Sequence, residues 1–336
     1  MKVPHIRTLQ AAEADFVCNE VLPALGTGPF RIEDRVLMRR DSAIFRASSP
    51  ASATALAVKI YDPVASKPGA AEKLYASLRK YESRDKFTVP RAYAFVEKHH
   101  AVVMEWIEAP RFGDTLLRLP PWTGKRREQV TLAGEWLRWF HATTDVRQAP
   151  YDGPKALRKI EKIAARSETA TGCTDKNLQK CFTLLRQAAS HFDRQPVTHA
   201  DVHDDFTPYN IFILKEGAAG FDFTAGRKGP ILRDICRFLV YLDTHKYLPT
   251  TAADLQAQGC NRADFEAFTQ GYGADPDKSP EGFLLYMQLT EIVRLWVANM
   301  TRRRAVQGLI RSLETRRLRR MALHVSQALE KKLPAA

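Results

Sequence analysis

The chain has 336 residues, 45% hydrophobic and 26% charged, and its 51 lysines and arginines against 38 aspartates and glutamates give a formal net charge of +13. That length suits about two domains or one two-lobed unit, and the composition excludes wholesale disorder, a collagen-like repeat and a disulfide-stapled miniprotein. Five cysteines without a CxxC pair exclude a full disulfide framework and a zinc ribbon, and no stretch approaches the about 18 uninterrupted apolar residues of a membrane span.

In chain order, the first twenty-five residues carry Leu9, Phe16, Val17, Val21 and Leu22 as a buried helical stripe, without the continuous apolar core of a signal peptide. Together with reduced thiols, this leads to the expectation of a soluble cytoplasmic protein. Short strand-like runs follow at Arg35–Met38, Ala43–Phe45 and Ala55–Ile60. After the break at Lys67-Pro68-Gly69, Ala71, Leu74, Tyr75, Leu78 and Tyr81 recur at helical spacing. The apolar runs Ala92–Val96 and Ala101–Ile107 flank a hairpin-like turn, Glu97–His100. From residue 110 the texture is helical: Arg126–Thr144, Leu157–Ala165, Leu178–Phe192, Ile231–Leu242 and Phe283–Met300, the last broken by Gln288, Glu291 and Arg294 and so a buried amphipathic helix. One β-rich island, Val197–Phe223, interrupts the series.

That island, HADVHDDFTPYNIFILKEGAAGFDF from His199, concentrates the chemistry. Two strands joined by a short turn could bring Asn210 and Asp222 together at one end. An amide carbonyl and a carboxylate are hard oxygen ligands suited to Mg²⁺ with phosphate oxygens completing its shell. Asp205, not spent on metal, could accept a proton from an attacking hydroxyl, which is the division of labour phosphoryl transfer needs.

His203-Asp-Asp205-Phe-Thr-Pro-Tyr-Asn210 fits the HxDxxxxN catalytic loop of protein-kinase-like enzymes, and it resembles most the aminoglycoside phosphotransferase and choline kinase branch, whose loop reads HGDxxxxN. Phe221-Asp222-Phe223-Thr224 sits where that branch carries its metal-binding aspartate. Gly229-Pro-Ile-Leu-Arg-Asp234 resembles its GPxxxD helix start, and Trp136-Leu-Arg-Trp-Phe-His141 the helix ending in LH. Leu56-Ala-Val-Lys59-Ile60 has the form of the VAIK strand, whose lysine holds nucleotide phosphates. The resemblance implies an α+β, bilobal protein-kinase-like fold. A small N-lobe of antiparallel sheet plus one helix (residues 1–106) would precede a larger, mostly helical C-lobe (107–336).

It further implies an ATP- and Mg²⁺-dependent kinase. Asp205 is the expected base and Asn210 and Asp222 the metal ligands. Lys59 is expected on the phosphates, held by Glu72 with Glu82 in reserve, and the hinge backbone near Glu105 and Ile107 would receive the adenine. Asp234 is expected to brace the catalytic loop and His203 to position it. Arg40–Phe45 contains no glycine where a glycine-rich loop would cover the phosphates, so Ser42 or backbone amides take that role. Asp201, which begins a second HxD reading, lacks an asparagine five residues on and is the fallback base. Two other classes stand beside this one: a catalytically inactive kinase-like binding module, and a metallohydrolase using the cluster His199, Asp201, His203, Asp204 and Asp205.

The acceptor is expected to be a small molecule, lipid or glycan, with no nucleic acid partner. Ten basic residues against Glu314 and Glu330 between Arg302 and Lys332 carry +8 of the net charge, with Val306, Leu309, Ile310, Leu313, Met321 and Val325 at helical intervals. Such a segment lies either on an anionic membrane surface, favouring a lipid or envelope-sugar acceptor, or as the solvated face of the last packed helices.

Overall fold

The structure, a computed structural model, describes residues 16–26, 29–38, 41–49, 52–83, 85–120, 122–171, 175–223, 226–246, 250, 255, 259–273, 279–301 and 308–334. The chain forms two compact units, residues 1–110 with 212–226, and residues 111–211 with 227–336.

The first unit is built on a five-stranded antiparallel sheet of β1 (Arg31–Met38), β2 (Ser42–Ser49), β3 (Ser52–Tyr61), β5 (Ala92–Val96) and β6 (Ala101–Glu105), in the order β1-β2-β3-β6-β5. Central β3 is buried without interruption from Leu56 to Ile60, which explains a run that is apolar apart from Lys59 in place of alternation. Helix α1 (Ala70–Tyr81) packs on β3, β5 and β6, burying Leu74, Leu78 and Tyr81 at i, i+4 and i+7. A π-helical turn, Val17–Val21, and a 3₁₀ turn, Leu22–Leu25, place Val17, Val21 and Leu22 in the core with Phe45, Val58 and Val103. Each such side chain contributes on the order of 1.5–3 kcal/mol by burial. Leu9 of the expected stripe lies outside the described residues.

A second, three-stranded sheet joins β4 (Phe87–Thr88), β10 (Ala218–Gly220) and β9 (Ile211–Ile213). It gathers residues 212–226 into the first unit, so a division into 1–106 and 107–336 does not hold: β10 pairs in parallel with β4, and the Ala218 amide donates to the Lys86 carbonyl at 3.1 Å. Gly217 is required there, because a Cβ would stand 1.7 Å from that same oxygen.

The second unit holds an antiparallel sheet, β7 (Arg147–Pro150), β8 (Pro196–Asp201) and β11 (Lys228–Pro230), with β8 central. Its helices are α2 (Phe112–Thr115), α3 (Gly124–Ala142), α4 (Gly153–Thr171), α5 (Lys176–His191), α6 (Leu232–His245), α7 (Arg262–Tyr272), α8 (Phe283–Thr301) and α9 (Gly308–Glu330). Helices α3 and α7 cross closely enough that a Cβ on Gly271 would meet the Thr131 carbonyl at 2.0 Å. Fully buried Arg126 ties them, donating to both Asp264 oxygens at 2.8 Å and to the Leu116 and Leu119 carbonyls at 2.6 and 2.9 Å. Helix α8 is buried on most of its circumference and packs against α4, α5, α6 and α9. On α9, Leu318, Met321, Val325 and Leu329 are buried, whereas Leu313 and Leu323 are exposed, so Leu313 of the expected apolar stripe faces outward; Val306 lies outside the described residues. No described helix is long and apolar enough to cross a membrane.

Candidate active site

In the first unit, Lys59 rises from central β3 opposite Ile44 and Val102, where an unpaired ammonium would be costly. Its Nζ donates to Asp222 Oδ1 at 2.7 Å. Burial pulls the Lys59 pKa down, but Asp222 and Tyr61 outweigh it and hold the group above the ordinary lysine value. Asp222 adopts φ 62°, a left-handed conformation aspartate reaches at modest cost. Its neighbours fix it on both sides: Phe221 stacks on Phe212 at 4.7 Å, and Phe223 meets Tyr81 of α1 edge-on at 5.3 Å.

In the second unit, the loop after β8 is braced from below by Asp234 in the first turn of α6. Asp234 Oδ2 accepts the His203 amide at 2.7 Å and Oδ1 the Asp204 amide at 2.9 Å. Tyr272 and His141 complete the chain, Tyr272 Oη to His141 Nδ1 at 2.7 Å and His141 Nε2 to Asp234 Oδ2 at 3.2 Å. Burial pushes the Asp234 pKa up, yet the hydrogen bond and charge of His141, with His203 and Arg237, hold it below the usual carboxylate value. His203 plays the positioning role expected of it, its Nδ1 accepting the Asp205 amide at 3.3 Å.

Asp205 emerges from this frame with 60% of its side chain exposed. The Asn210 Nδ2 donates to the Asp205 carbonyl at 2.8 Å and to its Oδ2 at 3.3 Å, and Arg237 Nη1 stands 3.5 Å from Oδ1. Asn210 therefore spends its amide nitrogen on the loop, and its Oδ1 is the hard oxygen a cation would use. Arg237 is itself clamped by Glu291, Nε at 3.0 Å and Nη2 at 3.2 Å.

The remaining expected residues divide. Glu72 is exposed in the first turn of α1, and among the described residues no ion pair joins it to Lys59. Asp222 takes that place, and Glu82 pairs instead with Arg79 and Arg91. Ser42 is buried at the start of β2, its hydroxyl donating to Asp41 at 3.3 Å. Glu105 ends β6, its amide donating to the Arg91 carbonyl at 2.8 Å and its carboxylate accepting the Arg91 amide at 3.2 Å. Ile107, two residues on, is half-buried. Asp201 lies buried within β8 in register with Lys228, which leaves Asp205 as the solvent-facing carboxylate of the loop. Asp204 pairs with Arg227 and Arg233, and His199 Nδ1 lies 3.0 Å from the Val197 carbonyl. The His/Asp cluster of the metallohydrolase reading is thus dispersed onto separate partners. Among the described residues no three His, Cys, Asp or Glu side chains are grouped to hold a metal ion. Arg227, Arg233, Arg237 and Glu291 were not legible as site residues. Their only sequence signal is that Arg233 and Arg237 flank Asp234 on one helix.

Residues 40–272 match the phosphotransferase enzyme family, and the chain belongs to that family. It is a phosphotransferase on a protein-kinase-like α+β fold. A choline/ethanolamine kinase family protein from Mesorhizobium loti shares 14% identity at a TM-score of 0.58, over 95% of this chain and 98% of the other. An amicoumacin kinase, solved in complex with AMP-PNP, Ca²⁺ and Ami, shares 12% identity at a TM-score of 0.59, over 96% of this chain and 97% of the other. A choline kinase from Cryptosporidium parvum Iowa II shares 11% identity at a TM-score of 0.52, over 90% of this chain and 89% of the other. No curated protein matches the chain in sequence.

Proposed function

We propose that this phosphotransferase moves the γ-phosphate of ATP, with Mg²⁺, to a hydroxyl of a small molecule, a lipid or an envelope sugar. The observation that carries the reading is the exposed Asp205 carboxylate, oriented by Asn210 and His203 on a loop clamped by Asp234. Asp205 aligns the acceptor hydroxyl and takes its proton as the oxygen attacks the γ-phosphorus and ADP leaves. Lys59 turns from Asp222 to phosphate oxygens. Asn210 and Asp222 would hold the cation, which when bound neutralises charge on the transferring group. The hinge backbone around Glu105 and Ile107 would receive the base, and Ser42, at the start of β2, or neighbouring backbone amides would meet the phosphates. The amicoumacin kinase complex with AMP-PNP and Ca²⁺ supports nucleotide and divalent-metal use. The outward side chains of α9, Arg316, Arg320, Leu313 and Leu323, support an acceptor met at an anionic membrane surface.

Thermal shift with ATP, GTP and ADP, each with and without Mg²⁺, tests the reading. A ligand at about a hundred times its Kd adds about 2.7 kcal/mol, a rise of several degrees. The Asp205→Ala variant is expected to keep Mg-dependent stabilisation and lose turnover by about 10²–10⁴-fold, while Asp222→Ala loses the Mg-dependent part of the shift. Normal turnover by Asp205→Ala would falsify the assignment of the base.

A further inference from the structure

In the HGDxxxxN loop that this chain resembles, a glycine precedes the base; here Asp204 stands there, at φ 67°. A left-handed aspartate is retained at a cost, and its side chain shows what accompanies it. The carboxylate is gripped by two guanidinium groups from different elements, Arg227 before β11 and Arg233 in the first turn of α6. Arg227 is fixed against the loop by its own carbonyl, which accepts the Val202 amide at 2.8 Å. One guanidinium fork can satisfy one carboxylate bidentately, so two on Asp204 leave a unit of positive charge over. One helical turn beyond Arg233, Arg237 approaches Asp205 itself at 3.5 Å, although its charge is matched by Glu291. Lys159 on α4 lies in the same field: the surrounding protein, then Arg233, Arg227 and Lys155, draw its pKa below the ordinary lysine value, with Asp204 opposing. The surface around Asp204, the neighbour of Asp205 in the loop, is therefore cationic, and it is reachable, since Lys159 is exposed and 40% of the Arg227 side chain is exposed.

A cationic acceptor such as a quaternary amine would be repelled by that surface. Guanidinium forks suit tetrahedral oxyanions, and an incoming oxyanion can share or displace the Asp204 carboxylate. We propose that Arg227, Arg233 and Lys159 form a seat for a phosphate group carried by the acceptor, close to the hydroxyl presented to Asp205. The inference rests on the reading of Asp205 as the base and narrows its acceptor to a phosphorylated alcohol, either a soluble phosphate ester or the phosphate of a lipid.

The test is titration of the full chain with inorganic phosphate, free of nucleotide and Mg²⁺, followed by thermal shift and calorimetry. Wild type is compared with Arg227→Gln, Lys159→Glu and Lys59→Met. The first two alter side chains with exposed surface, and circular dichroism confirms that the fold is kept. Each is expected to weaken phosphate binding by about tenfold, the worth of one charge-assisted hydrogen-bonding partner, whereas Lys59→Met leaves phosphate binding intact and loses the nucleotide response. Phosphate binding unchanged in both Arg227→Gln and Lys159→Glu, or absent from wild type, overturns the inference. Loss of phosphate binding in Lys59→Met alone also overturns it, because the anion then sat in the nucleotide's place; the nucleotide reading survives that result. Repeating the titration with glycerol 3-phosphate and with phosphatidylglycerol vesicles tells the soluble from the lipid source, with dependence on Lys159 required in whichever arm binds.

Discussion

Glu291→Gln probes the buried ion pair that joins α8 to Arg237 of α6. Glu291 is 3% exposed and accepts from Arg237 at 3.0 and 3.2 Å and from Arg294 at 2.7 Å. Burial alone would raise its pKa, but the two arginines lower it from 4.5 to about 2. At about 1.36 kcal/mol per pH unit, ionised Glu291 contributes about 3 kcal/mol at neutral pH. A pKa depressed on folding means that this stability is complete above pH 4.5 and is lost as pH falls toward 2. Glutamine keeps the volume and removes the charge, leaving Arg237 buried without its counter-ion. Urea unfolding followed by the emission of buried Trp136 and Trp296 is expected to show a midpoint lower by about 1 M at pH 7, for a slope near 3 kcal/mol/M. The gap between variant and wild type should close progressively below pH 4.5. A midpoint change below about 0.3 M, or a gap that stays constant down to pH 3, refutes the assignment of that stability to the ionised pair.

Asp234→Asn replaces an oxygen that accepts a backbone amide with an NH₂ group, so a buried N–H of His203 or Asp204 faces a donor. The expected cost is about 3 kcal/mol with a turnover loss on the order of 10²-fold from a displaced Asp205, measured by urea unfolding and steady-state kinetics, while nucleotide binding is retained. Gly217→Ala drives a Cβ to 1.7 Å from the Lys86 carbonyl. It should destabilise by about 2–4 kcal/mol and weaken the Mg-dependent nucleotide shift through the β9–β10 hairpin that carries Asp222. Gly226→Ala, with open space around its Cβ and φ 67°, should cost only about 1 kcal/mol in the same thermal-shift series.

The strands and long helices were readable because burial writes a period into them: Ala92–Val96 appears at its expected bounds, and α1, α3, α5 and α6 begin or end within a few residues of theirs. Strands β7 and β11 were not, since Arg147–Pro150 and Lys228–Pro230 are short, polar and proline-bearing and become strands only by flanking β8. Arg126 reads in sequence as one more cation of a helix surface, and only α7, contributing Asp264 from 138 positions away, makes it a core residue. The loop from His203 to Asn210 was legible because the contacts that orient Asp205 within it, from His203 and Asn210, are only two to five residues apart. The arginines around Asp204 come from beyond the hairpin, at no fixed spacing that a motif could record.

The partner of Lys59 shows the same limit at the centre of the site. A lysine in a buried strand needs a carboxylate, and that requirement is readable from the apolar run around it. Which carboxylate answers it is a matter of topology. Glu72 is near in sequence, but α1 turns into the sheet the face bearing Ala71, Leu74 and Leu78, leaving Glu72 exposed. The β9–β10 hairpin, by pairing with β4, returns residues 212–226 to the first unit and delivers Asp222 across 163 positions. The pairing that offsets the desolvation of Lys59 thus falls to the aspartate proposed to bind the metal. A variant such as Asp222→Asn should therefore destabilise the first unit as well as weaken metal-dependent binding, whereas Glu72→Gln should do neither.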